Sequence, residues 1–156
     1  MNALASQALF DRDVAVIPRL AQLRGWTVHK IEFPVVDVTF AEEGRKPLRV
    51  RLVAKEWDEL PPSVELLSPN GEFLQVNQTP AQSIFNPNAH RNTGRPFVCM
   101  IGTLEYHTHE SHINDHWENY RRQTNRGLAD LLGQIWNGWL RAPKPAADAD
   151  RRRSGR

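Results

Sequence analysis

The sequence TVHKIEFPVVDVTFAEEGRKPLRVRLVAKEWDELPPSVELL, residues 27–67, decides the fold, because apolar and β-branched residues recur in it with a period of two. The Glu-Glu-Gly-Arg sequence at residues 42–45 predicts a turn. The pair Pro61-Pro62 lacks the N–H groups that a central strand needs, so it marks the entry or the edge of a strand. We predict a four-stranded antiparallel meander with strands at residues 27–33, 35–40, 48–54 and 63–67.

Helical periodicity flanks this stretch on both sides. Apolar residues spaced by three and four before Gly25 predict a helix over residues 6–24, in which Pro18 removes one backbone donor and favours a kink or a break. After the meander, an apolar stripe that ends at Trp139 predicts an amphipathic helix over residues 115–140. We expect the tryptophans of this helix to pack in the core.

Irregular segments lie between and after these elements. Residues 69–96 are rich in Asn, Pro, Gln and Gly, and a connection of this length is uncommon unless it is functional. A short apolar run, residues 97–101, leads from it into a segment crowded with histidine. Residues 141–156 lack apolar periodicity, so we expect a disordered basic tail after one folded domain over residues 1–140.

The composition, with 40% hydrophobic and 24% charged residues in a chain of 156, is that of one ordinary soluble domain. The single cysteine, Cys99, excludes an internal disulfide framework, and the lack of a signal peptide in the sequence predicts a free thiol in the cytoplasm. No apolar stretch approaches the ~20 residues that span a bilayer, so no membrane partner is expected.

Positive charge is concentrated at the end of the chain. Residues 141–156 carry six cations and two anions, a local net charge of +4, which leaves −2 for residues 1–140 within the total of +2. A short arginine run at a chain end is usually solvated, and a mildly acidic body argues against binding of nucleic acid.

Side chains that could carry chemistry crowd into one window of fourteen residues: Cys99, Glu105, His107, His109 and His112. Imidazole can lower the pKa of a thiol or take its proton, which would make the cysteine a nucleophile. Zinc accepts the same N, S and O ligands, although His107 and His109 would point to opposite faces of an extended segment. A lone cysteine is more often a small buried hydrophobic residue, but the nearby histidines and Glu105 favour a chemical role for Cys99. We expect His90 and His116 to be structural.

Two short motifs occur in the same order as in a known family. Asn86-Pro87-Asn88 is similar to a His-Pro-Asn motif, and Cys99-Met100 stands where an active-site Cys-Leu would be. With the helix, the meander, the Pro-Pro entry and the last helix, residues 6–140 resemble the ubiquitin-conjugating-enzyme (UBC) fold. The chain departs from that family in Asn86, in a longer interval between Asn88 and Cys99, in a histidine-rich insertion and in the absence of the last two helices.

The departures fit a bacterial branch. Cys99, Glu105, His107 and either His109 or His112 resemble the Cys-Glu-His-His pattern of a bacterial family described as a predicted metal-binding domain, which occurs beside ubiquitin-like modification genes. Both resemblances imply the same pathway. They differ on whether the cysteine carries a thioester or holds a metal.

The resemblance implies an α+β fold and a transferase that needs no cofactor. A ThiF-like activating enzyme would pass a ubiquitin-like modifier protein to Cys99 as a thioester, for transfer to a target protein. One of His107, His109 or His112 would be the base, and Asn88 would donate a hydrogen bond to the oxyanion. Glu105 would orient a histidine or deprotonate the incoming amine. The modifier, the target, the acceptor group and the oligomeric state are left open by the sequence.

Two alternatives stand beside this hypothesis. One is a zinc-binding protein of the same pathway, with Cys99, Glu105, His107 and His112 as ligands. The other is a non-catalytic adaptor that keeps the fold.

Overall fold

A computed structural model describes residues 2–144 of the chain, which begins with two short helices. Helix α1 spans Ala3–Val14, and the Asn2 side chain caps it by accepting a hydrogen bond from the Ala5 N–H at 2.8 Å. Helix α2 spans Ile17–Arg24. The predicted helix over residues 6–24 is therefore broken, as expected from Pro18, which lies in the first turn of α2 where its missing N–H costs nothing.

The predicted meander is confirmed. Four antiparallel strands pair in the order β1-β2-β3-β4. The turn between β2 and β3 contains Gly44 at φ 74°, in the left-handed region that glycine adopts without strain. The strands are β1 Thr27–Glu32, β2 Val35–Glu42, β3 Arg45–Val53 and β4 Ser63–Leu67.

The helices cover one face of this sheet. Phe40 of β2 packs against Trp139 and Trp26, with ring centroids 5.7 and 5.0 Å apart. On the opposite face, the buried Asp37 carboxylate accepts two hydrogen bonds of 2.8 Å from Arg49. Burial alone would raise the pKa of Asp37, but the hydrogen bonds and charges of Arg49 and Arg51 hold the pKa below its usual value. Alternate side chains of the strands therefore face the core, as the sequence pattern predicts. The fold is of the α+β class.

The last helix is shorter than predicted. Helix α4 spans only Leu128–Arg141, after Gly127 at its N-cap. Within the predicted range of 115–140, the first part instead forms turns and one 3₁₀ turn at Trp117–Asn119. The reason is tertiary: the Trp117 side chain is buried, and its indole N–H donates to the Asp58 carbonyl at 2.8 Å, which holds the segment across the fold.

The end of α4 is held to the sheet by one arginine of β3. Arg45 donates to the Leu140 carbonyl at 2.8 Å and also to the Ala142 carbonyl, so its guanidinium caps the C-terminus of α4. Ala142 is buried. Apart from residues 141–144, the predicted tail over residues 141–156 lies outside the described residues. No helix within residues 2–144 is long and apolar enough to cross a bilayer.

Candidate functional site

Cys99 directly follows the second strand of a small hairpin at the end of the long loop. Strand β5, Phe85–Asn86, pairs with strand β6, Phe97–Val98, in antiparallel register. The Cys99 N–H extends this pairing by donating to the Ile84 carbonyl at 2.7 Å. The backbone of the cysteine is thus held in place, while its side chain is half-buried.

The surroundings of the Cys99 thiol are less polar than the sequence predicts. Within residues 2–144 no histidine is hydrogen-bonded to the thiol, and burial raises the pKa of Cys99 above its ordinary value. The expectation that an imidazole lowers the pKa of this cysteine has no support in these contacts and stays a prediction. At neutral pH the group is almost entirely the protonated thiol, which is a poor nucleophile until its proton is removed.

We expect Cys99 to react with iodoacetamide along a pH profile shifted to the alkaline side. Because burial disfavours the thiolate, the apparent pKa in the folded protein should exceed the free-thiol value of ~8.5. The chain has a single cysteine, so the alkylation rate reports this site alone. The same profile in denaturant is the control. An apparent pKa lower in the folded protein than in the denatured chain would contradict the structure and restore an imidazole-activated thiolate.

His107 acts on the loop that follows the cysteine and not on the thiol. Its Nε2 accepts the Gly102 N–H at 3.1 Å, and its Nδ1 donates to the Asp115 carbonyl at 2.6 Å. These two contacts define the neutral tautomer with the proton on Nδ1. Burial lowers the pKa of His107, although the backbone contact at Asp115 opposes this effect. With both nitrogens occupied, His107 joins two parts of the loop and is not free to act as a base.

Glu105 faces the sheet. Helix α3, Leu104–Thr108, begins after the Thr103 cap and directs the buried Glu105 carboxylate toward β4. There it accepts hydrogen bonds from the Ser63 hydroxyl at 2.6 Å and the Val64 N–H at 3.1 Å. Burial raises the pKa of Glu105 despite these donors. The carboxylate contacts no histidine within residues 2–144, so its position supports docking of α3 on the sheet, not the predicted orientation of a base.

His112 and His109 are the histidines of the window with nitrogens to spare. His112 stacks on Tyr106, with ring centroids 4.1 Å apart and an interplanar angle of 12°. His109 accepts the Ser111 N–H on Nδ1 at 3.3 Å, which leaves its Nε2 free of hydrogen bonds within the described part of the chain. Tyr106 lies close enough to Cys99 for the charge of the thiolate to contribute to its raised pKa. Both His107, at 4.9 Å between ring centroids, and His112 pack on Tyr106, but of these two only His112 has ring nitrogens without hydrogen bonds within the described residues.

A carboxylate that sequence reasoning missed organises this region. Asp115 accepts hydrogen bonds from the hydroxyl groups of Tyr106 at 2.7 Å and Tyr120 at 2.8 Å. Both hydrogen bonds lower the pKa of Asp115. Since Asp115 also binds His107 through its backbone carbonyl, it joins Tyr106 and His107 of α3 to Tyr120. Both tyrosines of the chain meet at this single residue, which no spacing rule could have indicated.

The shared carboxylate should be visible in a tyrosine titration. Hydrogen bonding to Asp115 raises the pKa of Tyr106 to about 12 and also raises that of Tyr120. The chain has only these two tyrosines. We therefore expect tyrosinate absorbance at 295 nm to appear well above pH 10 in the folded protein, and Asp115→Asn to shift the titration back toward 10. The matched control is Asp11→Asn on exposed α1, which should leave the curve unchanged.

Asn88 does not lie opposite Cys99 in the hairpin. The ladder pairs Asn86 with Phe97 and places Ile84 beside the cysteine, so Asn88 is displaced along the hairpin in the opposite direction. The Asn86 side chain accepts the Asn88 N–H at 3.0 Å and thereby closes the Asn-Pro-Asn turn. The exposed Asn88 makes no contact with Cys99 in the described hydrogen-bond network. Its predicted role as oxyanion donor stays a prediction.

The two histidines predicted to be structural include one that is deeply buried. His90 is 1% exposed, its Nε2 donates to the Glu105 carbonyl at 2.9 Å, and its Nδ1 accepts the Asn92 N–H at 3.1 Å. It therefore joins the long loop to α3, which confirms the structural role. His116 is exposed.

The zinc alternative does not fit this arrangement. No group of three or more His, Cys, Asp or Glu side chains within residues 2–144 is placed to hold a metal ion. The reason is visible in the individual side chains: Glu105 points to β4, and both nitrogens of His107 are used by the backbone.

Comparison with known proteins does not assign the chain to a family. No protein-family model matches it, and no curated protein matches it either. The function must therefore be inferred from the site.

Proposed function

We propose that this protein is a conjugating enzyme of a bacterial ubiquitin-like modification pathway, acting in the cytoplasm, and that Cys99 carries the modifier. The observation that carries the proposal is the position of the only thiol. Cys99 is half-buried, its backbone is held by the Ile84 carbonyl at the end of a hairpin, and a loop rich in imidazole and phenol groups follows it. The order of helix, antiparallel meander, hairpin, cysteine and closing helix supports a UBC-like fold.

The reaction proceeds in two acyl transfers. The Cys99 thiol loses its proton and attacks the modifier's C-terminal thioester on a ThiF-like activating enzyme. A new thioester forms on Cys99, and the thiolate of the activating enzyme leaves. A nucleophile of the target, an amine in the simplest case, then attacks the carbonyl carbon. An amide forms, the C–S bond breaks, and the Cys99 thiolate takes up a proton.

The raised pKa of Cys99 keeps the thiol protonated in the resting protein, so the attack on the modifier requires a base that removes the proton. A half-buried thiol that stays protonated is less exposed to alkylation and oxidation before it meets the activating enzyme. Of the three histidines, His112 supports the role of base, because it stacks on Tyr106 and makes no hydrogen bond with its ring nitrogens within residues 2–144. His107 stays a positioning residue, since its two contacts hold Gly102 and Asp115.

The proposal is tested by reconstitution. The genes that flank this one should encode a ThiF-like enzyme and a small protein that ends in glycine. Those two proteins, ATP and this chain are mixed, and the products are separated on a non-reducing gel. We expect a band at the combined mass of modifier and chain that disappears when a thiol reductant is added. Complete absence of such a band with an activating enzyme that itself becomes charged would overturn the proposal.

A further inference from the structure

A cavity of about 330 Å³ lies between the start of β3, the loop after β4 and the end of α4. Its floor is apolar, because Leu48, Leu74 and Trp139 line it and all three are buried. Ligand pockets in proteins have volumes of roughly 300–1,000 Å³ and walls that are mainly apolar. The cavity therefore has the size and the lining of a small-molecule site. Within the described chain, no residue of the Cys99 loop lines it.

The rim of this cavity is polar and positively charged. Lys46 of β3 and Lys144, beyond the end of α4, line it and are exposed to solvent. Gln78 lines it as well, and its side-chain oxygen accepts the Gln75 N–H at 2.8 Å, which leaves the amide N–H groups of Gln78 without an acceptor within residues 2–144. No aspartate or glutamate among the described residues lines the cavity. The rim therefore offers donors and positive charge.

The positive charge at the rim belongs to the lysines. Arg45 also lines the cavity, but it pairs with Glu42 at 3.0 Å and donates to the carbonyls at the end of α4, so its charge offsets the negative end of that helix. The Lys144 ammonium group donates only to the Glu43 backbone carbonyl, at 3.3 Å. Lys46 makes no ion pair within residues 2–144. Two ammonium groups are therefore not matched by a carboxylate.

We propose that the cavity binds a small carboxylate with an apolar body, of which a medium-chain fatty acid is the simplest example. The buried floor receives the apolar body, because removal of apolar surface from water is favourable. The carboxylate lies at the rim, where the two lysines attract it and the Gln78 amide donates to it. A cationic ligand would meet two like charges there. The proposal does not depend on the chemistry of Cys99.

The test is an NMR titration of the full chain with octanoate, below the concentration at which it forms micelles. The tryptophan indole signals serve as the readout, since Trp139 lines the cavity whereas Trp57 and Trp117 do not. We expect a saturable shift of the Trp139 signal alone among these three. Octanol, which has the same chain without the charge, should bind about tenfold more weakly, and octyltrimethylammonium should not bind.

Two variants with matched controls locate the site. Ala81 lines the cavity and is exposed, so Ala81→Trp should fill the space and abolish the shift, whereas Ala8→Trp on exposed α1 should not change it. Lys46→Gln should weaken octanoate binding about threefold, since an exposed ion pair is weak. Lys30→Gln on β1 is its control and should leave the affinity unchanged.

Three results would overturn the proposal. Equal affinity for octanoate and octanol would mean that the carboxylate is not recognised, and equal binding to wild type and Ala81→Trp would place the ligand elsewhere. No saturation would mean that the cavity is closed to small ligands, by residues 145–156 or by a second copy of the chain. Circular dichroism checks folding. Should Ala81→Trp unfold the chain, Lys46→Gln at the exposed rim still decides the outcome.

Discussion

Replacement of Cys99 by serine is expected to abolish the reductant-sensitive adduct with the modifier. The serine hydroxyl is almost fully protonated at neutral pH and is a far weaker nucleophile than a thiolate, so loading should fall below detection. The fold should survive, because the Cys99 side chain makes no hydrogen bond within the described residues and its backbone N–H still reaches the Ile84 carbonyl. The measurement is the non-reducing gel assay, with thermal melting as the check on folding.

The matched control is Ser111→Cys in the Cys99→Ser background. Ser111 is an exposed residue in the same histidine-rich segment, so a thiol there tests whether any exposed thiol near these histidines can be charged. We expect no adduct from this double variant. An unchanged, thiol-sensitive adduct in the Cys99→Ser chain would place the nucleophile elsewhere and end the assignment.

Replacement of Gly102 by alanine is expected to lower the free energy of unfolding strongly, and more than replacement of Gly94 by alanine. Gly102 has φ 99°, in the region that glycine favours, and a side chain there costs roughly 1–2 kcal/mol. An added Cβ would also lie 2.5 Å from a methyl carbon of Leu131, which is fully buried in α4. Forcing a methyl group into a packed core costs typically ~1–3 kcal/mol.

Gly102→Ala should also slow loading of the modifier onto Cys99, because the same backbone segment that must move away from Leu131 also holds His107. Gly102 donates its N–H to His107, so a shift away from Leu131 disturbs the contact that joins the loop to Asp115. Urea unfolding measures the free energy, and the gel assay measures the loading rate. We expect both to fall.

Gly94→Ala is the control for Gly102→Ala. Gly94 also has a positive φ, 68°, but a Cβ built there has nothing within 4 Å. It should therefore show the backbone strain alone, and the difference between the two variants gives the cost of the collision with Leu131. Equal losses of stability would mean that α4 moves aside freely and that the loop is not held against it.

The strands and the core were predictable because their signal is local. A period of two over residues 27–67 requires only that alternate side chains face the same side, and the observed pairing of β1 to β4 follows it. The break near Pro18 was predictable for the same kind of reason, since a missing N–H acts within one turn. The window of Cys99 and its histidines was likewise found by composition alone.

The start of the last helix was not predictable in this way. Residues 115–127 contain few strong helix formers and are held by contacts with distant parts of the chain, Trp117 with Asp58 and Asp115 with Tyr106. Such contacts outweigh the small intrinsic preference of a short segment for helix.

What the sequence by itself determined is therefore the meander, the amphipathic C-terminal helix and the neighbourhood of Cys99. Only the tertiary structure decided what each polar side chain in that neighbourhood does: Glu105 docks a helix on β4, His107 ties Gly102 to Asp115, and Asp115 collects both tyrosines. The physical reason is that hydrophobic periodicity depends on neighbours two to four residues away along the chain. Hydrogen-bond partners and pKa values instead depend on burial and on groups brought together from elsewhere in the chain.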